Sequence, residues 1–356
     1  MFKNTVLLIT FFISCNIFAQ DPVFTQFYAL PTLINPAFSG SVGNTRIGVG
    51  YRNQWMGSSY NLSTFYASAD KFVEVINSGL GISILNQTES LTNYNFTQVN
   101  ASYSYHLKLT ETWTIFPGIS FGYGYKQFNF NNLILEDQID INTGTILPGS
   151  ADPFLNNDKI HFFDISVGGV LYSESAWLGI SLKHLTEPDI AFTEGENLPL
   201  EMFLSIHGGY KWTLNPNQFI PEDSFLFLTL NYMNQGVYNR FDFGTELQLS
   251  KFSFGVLAST VIQKITPEAQ TLIYISPLIG LEFEKFKLGF SYDVPLVIIL
   301  ILKEQVKLPF NILSETLIQE NEGGRLNTKI LITKKLNIIS SFFIQISINA
   351  IIPNQA

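Results

Sequence analysis

A strict period of two constrains this chain most. In residues 44–55, Ile47, Val49 and Tyr51 point one way, while Arg46, Gly48, Gly50 and Arg52 point the other. The same alternation returns in residues 60–69, 78–86, 96–109, 112–128, 161–172, 176–185, 200–212, 225–232, 237–249, 252–262, 272–283 and 286–294. Gly, Pro, Asn and Asp punctuate these segments, as expected of strands. In two of them Val99, Ala101, Tyr103, Tyr105 and Leu107 share one face, as do Trp113, Ile115, Ile119, Phe121, Tyr123 and Tyr125. The opposite faces carry Ser102, Ser104, Gly118, Ser120, Gly122 and Gly124. Bulky apolar residues on one side and small polar ones on the other are the pattern of a strand between lipid and a lumen.

Charge supports that reading. Charged residues are 14% of the chain, where soluble domains carry about a quarter. Before residue 295 no apolar run is long enough for a transmembrane helix. Only helices and closed barrels satisfy every backbone group in lipid. The expected fold is therefore all-β: an antiparallel transmembrane β-barrel of the outer membrane. Counting to Val294 gives about 13 strands, and an even number is usual, so about 14 are expected. The net charge of -9 argues against a nucleic-acid partner.

The chain divides into four parts. Residues 1–19 read as a signal peptide, with Lys3, an apolar core over 6–13, and Ala19 before Gln20. The lone Cys15 lies inside it. Phe12 stands where a lipoprotein signal has Leu, so the mature chain is expected to lack thiol chemistry. Residues 20–43 form a periplasmic arm rich in aromatics and proline, expected either to enter the barrel or to cap its periplasmic mouth. Residues 44–295 are the barrel. Residues 296–356 break the pattern. They open on the solid apolar run 296–302 and contain few aromatics. Back-translating residues 295–313 with a permitted choice of synonymous codons and sliding the frame by one base can give a polar loop, then an alternating strand ending in an aromatic residue. The tail is thus expected to be out of frame, and the last strand missing.

Short links such as 173–175 and 284–285 are expected at one end of the barrel. The longer links 186–199 and 213–224 are expected at the other, and residues 129–159 form a long acidic insertion. Arg46, Arg52 and Lys71 are expected to line the lumen and to hold a plug or a partner polypeptide. His106, His161, His184 and His207 share no metal-ligand spacing and read as lumen or girdle residues. No catalytic residue, metal site or cofactor is expected. The acidic insertion lacks the spacing of a calcium loop.

The arm and first strand resemble the PorP/SprF family of Bacteroidetes membrane proteins. The resemblance rests on Asp21, Pro22, Phe24, Gln26, Tyr28, Asn35, Pro36, Ala37 and Gly40, then Arg46, Tyr51, Arg52, Gln54 and Trp55. It implies an outer-membrane barrel of the type IX secretion and gliding-motility machinery. Such a protein helps to secrete or anchor a partner substrate, often a large adhesin, through that partner's C-terminal domain. Contacts with periplasmic or secretion-machinery proteins are also expected. Phe24, Gln26, Tyr28, Asn35, Pro36, Arg46, Arg52 and Trp55 are the candidate partner-binding or plug contacts. Two other readings stay open: a general porin with an open lumen, and an outer-membrane lipase.

Overall fold

A computed structural model of the chain describes residues 21–55, 61–128, 136–140, 143–146, 159–192, 195, 197–260, 273–283, 286–295 and 341–347. The signal segment, Cys15 and most of the acidic insertion and tail lie outside these residues.

The strands are β1 (Arg46–Gln54), β2 (Leu62–Val73), β3 (Ser78–Glu89), β4 (Asn95–Tyr105), β5 (Leu107–Lys108), β6 (Thr114–Gln127), β7 (Lys159–Tyr172) and β8 (Ala176–Lys183). They continue as β9 (Phe203–Thr213), β10 (Phe225–Gln235), β11 (Tyr238–Leu249), β12 (Phe252–Thr260), β13 (Ile273–Phe283), β14 (Phe286–Pro295) and β15 (Ser341–Ser347). Every pairing is antiparallel, and each strand bonds to its neighbour in sequence. β4 and β5 both pair with β6, so they form one crossing broken at His106. β15 pairs with both β14 and β1 and completes the ring. The result is a closed barrel of 14 crossings, with no free edge.

The closing strand differs from expectation. The sequence reading leaves the tail without one, whereas the structure draws Ser341–Ser347 from that tail. Tyr51 pairs with Ile344 on one side, and Asp293 with Ser341 on the other.

The faces follow the sequence period. Phe121, Tyr123, Phe163, Leu178, Phe243 and Phe254 are exposed to the surroundings of the barrel. Ser104, Ser205, Asn231, Asp242 and Ser291 point inward and are fully buried. Tyr103, Tyr105 and Tyr123 lie on the outer face as expected, while Trp113 and Tyr125 are half-buried. Lys71 is a correction. It is exposed on β2, and the lumen residue is its neighbour Asp70, because adjacent strand residues face opposite ways.

The two ends differ. Links 74–77, 109–113, 173–175, 250–251 and 284–285 lie at the end where β1 begins. Links 55–61, 90–94, 128–158, 184–202, 261–272 and the tight turn 236–237 lie at the other. Short turns mark the periplasmic end and long loops the outer end. The link 214–224 joins β9 to β10 at the periplasmic end, not with the long loops as expected. Strand parity decides this, since each crossing reverses direction.

Val167 sits mid-strand on the outer face, opposite Ile119 and Leu182. Val167→Arg should cost roughly 2–4 kcal/mol of folding free energy in lipid vesicles, the cost of a cation near the bilayer midplane. An unchanged denaturant midpoint would contradict the assigned face.

Candidate functional site: the N-terminal arm inside the barrel

Residues 21–43 do not stand apart in the periplasm. They run through the lumen from the outer end to the periplasmic end. Three short turns compact the path: a 3-10 turn at Phe27–Ala29, one α-turn at Pro31–Ile34, and a second 3-10 turn at Pro36–Phe38. Pro31 and Pro36 each stand at the first position of a turn, where their fixed φ suits a helical start.

At the outer end, Asp21 meets two cations, Lys183 and His184. Its backbone N–H donates to Gln235 Oε1 at 2.8 Å. His184 Nδ1 also reaches Asp164 Oδ2 at 2.8 Å. Burial alone would raise the Asp21 carboxyl, but the charges of His184 and Lys183 outweigh it and hold it well below the usual carboxylate range. Burial alone would lower His184, but the Asp21 charge and the Asp164 hydrogen bond push it up to about 9. Close by, Arg52 donates to the Val23 carbonyl and pairs with Asp293 at 2.9 Å. Thr25 Oγ1 and Ser276 Oγ donate to the same carboxylate, at 2.8 and 2.7 Å. Asp293 thus ties β1, β13 and β14 to the arm.

At mid-depth the arm is packed as well as bonded. Phe24 and Leu30 join Tyr66, Leu85, Phe96 and Phe162 in one buried cluster. Phe27 and Ile34 join Leu257 and Leu278 on the opposite wall. Tyr28 donates to Glu246 Oε2 at 2.7 Å. Asn35, fully buried, makes the central connection. Its Nδ2 donates to the Gly169 and Ile180 carbonyls at 3.2 and 3.0 Å, and its Oδ1 accepts from Ala37 N at 2.9 Å. The same Nδ2 lies 3.2 Å from His207 Nε2. Ser205 Oγ donates to Asn231 and so accepts from His207 Nδ1, which leaves Nε2 as the acceptor. His207 is therefore a lumen residue whose Nε2 competes with the Gly169 and Ile180 carbonyls for the two protons of Asn35 Nδ2.

At the periplasmic end the arm's backbone touches the wall. Ser104 Oγ donates to the Ala37 carbonyl at 2.8 Å, and His106 Nε2 to the Ser39 carbonyl at 3.1 Å. Asp70 accepts from Gly40 N at 2.8 Å and from Arg46 Nε at 2.9 Å, and Arg46 also donates to the Phe38 carbonyl. The fit leaves no room for a side chain on the wall. A Cβ on Gly79 would sit 1.8 Å from the Ser39 carbonyl oxygen, and one on Gly118 would sit 2.5 Å from the Ala37 backbone.

Of the expected contacts, Phe24, Gln26, Tyr28, Asn35, Pro36, Arg46 and Arg52 converge here. Gln26 lies against Gly289, and Pro36 against Gly118. Trp55 does not join them. It ends β1 at the outer end with φ 58° and is exposed. Sequence reasoning missed Asp70, His184 and Asp293 as partners of the arm, and Asp164 as the second carboxylate on His184. The available signal was a charged residue at a lumen-parity position inside a strand. The letters Gly118, Ile119, Ser120, Phe121 and Gly122 match a nucleophile motif. They lie within β6, paired with β7, and not in the strand-to-helix elbow that such a motif needs. Among the described residues no group of His, Cys, Asp and Glu could hold a metal.

The outer ion cluster carries a pH dependence. His184, raised, contributes fully below its ordinary 6.5, and the contribution is lost as pH rises through about 9. Asp21, lowered, contributes above its ordinary 3.8, and the contribution is lost as pH falls below it. A nitroxide at Val23→Cys should therefore be immobile in its spin-resonance spectrum near pH 5.5 and loosen above about pH 9. Equal immobility across that range would contradict the latch.

Three solved barrels resemble the chain in outline. BamA from Haemophilus ducreyi lacking POTRA domains 1–3 is 13% identical with a TM-score of 0.35, covering 70% of this chain and 66% of that one. A triple mutant of Rhodopseudomonas blastica porin is 6% identical with a TM-score of 0.33, covering 86% and 98%. A Pseudomonas aeruginosa FadL homologue is 8% identical with a TM-score of 0.37, covering 85% of each chain. Among curated proteins none matches. The family described as type IX secretion system membrane protein PorP/SprF matches residues 16–299, which span the whole arm and every strand through β14. The chain is therefore a member of the PorP/SprF family of type IX secretion system membrane proteins, an outer-membrane β-barrel whose lumen holds its own N-terminal arm.

Proposed function

We propose that this barrel helps to secrete or anchor one particular partner, a large adhesin engaged through its C-terminal domain, in a type IX system that serves gliding motility. The observation that carries the reading is the occupied lumen. A diffusion porin works through an aqueous bore, and here the bore is crossed by residues 21–43 bonded to β1, β2, β4, β7, β8, β11 and β14. The working surfaces left are the two mouths. No catalytic step belongs to this reading. The chain reaches the membrane through removal of residues 1–19.

A tagged chain, pulled down from outer-membrane extracts, should recover a large secreted protein. Deleting residues 21–40 should abolish that recovery while the barrel still inserts. Recovery of no partner by the intact chain would contradict the proposal.

The tail belongs to the same proposal. The family match ends at residue 299, four residues beyond Pro295. A one-base shift in frame near Pro295 supplies an alternating strand of its own, which would occupy the slot between β14 and β1 that Ser341–Ser347 fills. Sequencing the gene across this point decides the matter. An unbroken frame in independent reads would remove the frameshift, and the tail would then be the native closing segment.

A further inference from the structure

The lipid-facing side of β3, β4, β6 and β7 changes character in rows. Strand register sets Ile82, Ala101, Phe121 and Ile165 side by side, one from each strand. The next outward row toward the outer end is Ile84, Val99, Tyr123 and Phe163. Beyond it stand Asn86, Thr97, Tyr125 and His161. The last row is Thr88, Asn95, Gln127 and Lys159. The apolar band therefore stops between the second row and the third. The two polar rows lie about 7 Å apart along the strands and extend about 14 Å across them, from ordinary strand spacings. Neither row contains Asp or Glu. The next strands do not continue them, since Leu182 and Leu204 face each other on the outward side at the outer ends of β8 and β9.

The rows are bonded along the surface. Asn86 Nδ2 donates to Thr97 Oγ1 at 2.8 Å and to Asn95 Oδ1 at 3.1 Å. Tyr125 donates to Gln127 Oε1. Tyr123 Oη lies 2.6 Å from His161 Nδ1, and the Tyr125 ring lies 4.9 Å from the imidazole, so the ring is held from two sides. With the acceptor oxygens of Asn95 and Gln127 engaged, the surface is left rich in donors: both amide nitrogens, His161 Nε2 and the Lys159 ammonium. Among the described residues none of these four has a partner. Lys159 and His161 are exposed, two residues apart on one face of β7.

A patch of donors without a carboxylate suits a phosphorylated, hydroxyl-rich headgroup, and Lys is a common phosphate ligand. The patch stands at the upper edge of the apolar band, on the side of the long loops, where the outer-leaflet headgroups of this membrane lie. The lipid of that leaflet is a phosphorylated glycolipid. We propose that the outer end of β3, β4, β6 and β7 is a binding site for one such glycolipid. Its phosphate meets Lys159 and His161, its sugar hydroxyls meet Asn95 and Gln127, and its acyl chains lie on the two apolar rows.

The test uses the full chain in detergent micelles, titrated with diphosphoryl lipid A, with the same lipid stripped of its phosphates, and with phosphatidylglycerol. Bound lipid is read by native mass spectrometry. Wild type should bind diphosphoryl lipid A at least about tenfold more tightly than either of the others, the factor that one charge-assisted contact confers. The double variant Lys159→Gln, His161→Gln should lose the preference over the stripped lipid, with unchanged heat-modifiable mobility on gels to show a folded barrel. Lys71→Gln removes an exposed lysine from the opposite end of the lipid-facing wall and should bind as wild type does. Equal binding of diphosphoryl lipid A by wild type and the double variant would overturn the site. An equal loss in Lys71→Gln would overturn its location. Phosphatidylglycerol bound as tightly as diphosphoryl lipid A would reduce the patch to plain charge attraction and overturn the glycolipid.

Discussion

A closed barrel has no edge at which its inward-facing polar groups can find partners, and a filled lumen has little water to serve them. A buried charge on the inner wall is therefore costly unless an opposite charge or a complementary hydrogen-bonding group meets it from within. Asp293 shows the constraint most clearly. It is 3% exposed and accepts from Arg52, Thr25 and Ser276, so first strand, arm and penultimate strands share one carboxylate. Removing Arg52 would leave the Asp293 charge unbalanced in a place where it is poorly hydrated, and removing either hydroxyl would cost it a hydrogen bond. The arm is therefore part of the wall's chemistry and not a loose passenger.

The two halves of the arm are held by different physics. Residues 21–25 are held mainly by charge: Asp21 on Lys183 and His184, the Val23 carbonyl on Arg52, Thr25 on Asp293. Residues 35–40 are held by backbone contact, against strand glycines and through carbonyls bonded to Ser104, His106 and Arg46. Charge pairs respond to pH and to competing ions, whereas close steric contact does not. The fixed half faces the periplasm and the responsive half faces outward, the side on which a surface partner would arrive. The arm spans the bore from mouth to mouth and touches strands around much of the ring.

Much of this was legible in the sequence. The period of two fixed the thirteen strands up to Pro295 and their faces, because in lipid the alternation has only one physical use. The arm's aromatics and prolines marked it as something that packs. Direction and depth were not legible. Nothing in residues 21–40 tells that Asp21 lies at the outer end, since that follows from which lumen carboxylates and cations the closed ring brings opposite it. Gly79 and Gly118 make room for the arm, a long-range fact that no local pattern encodes. Lys71 was assigned to the lumen and Asp70 overlooked because the strand was begun without its true parity. Trp55 looked like part of the motif because it follows Arg52 so closely, but its left-handed backbone turns it away at the strand's end.

Family membership places the chain in the type IX secretion system, and the lumen is occupied by the chain's own N-terminal arm. The most direct test of the central claim is single-channel conductance in planar bilayers, comparing the full chain with one lacking residues 21–43. The account predicts electrically silent insertion of the full chain and large steady steps once the arm is gone. Equal steps from both proteins would mean that the arm does not occupy the bore.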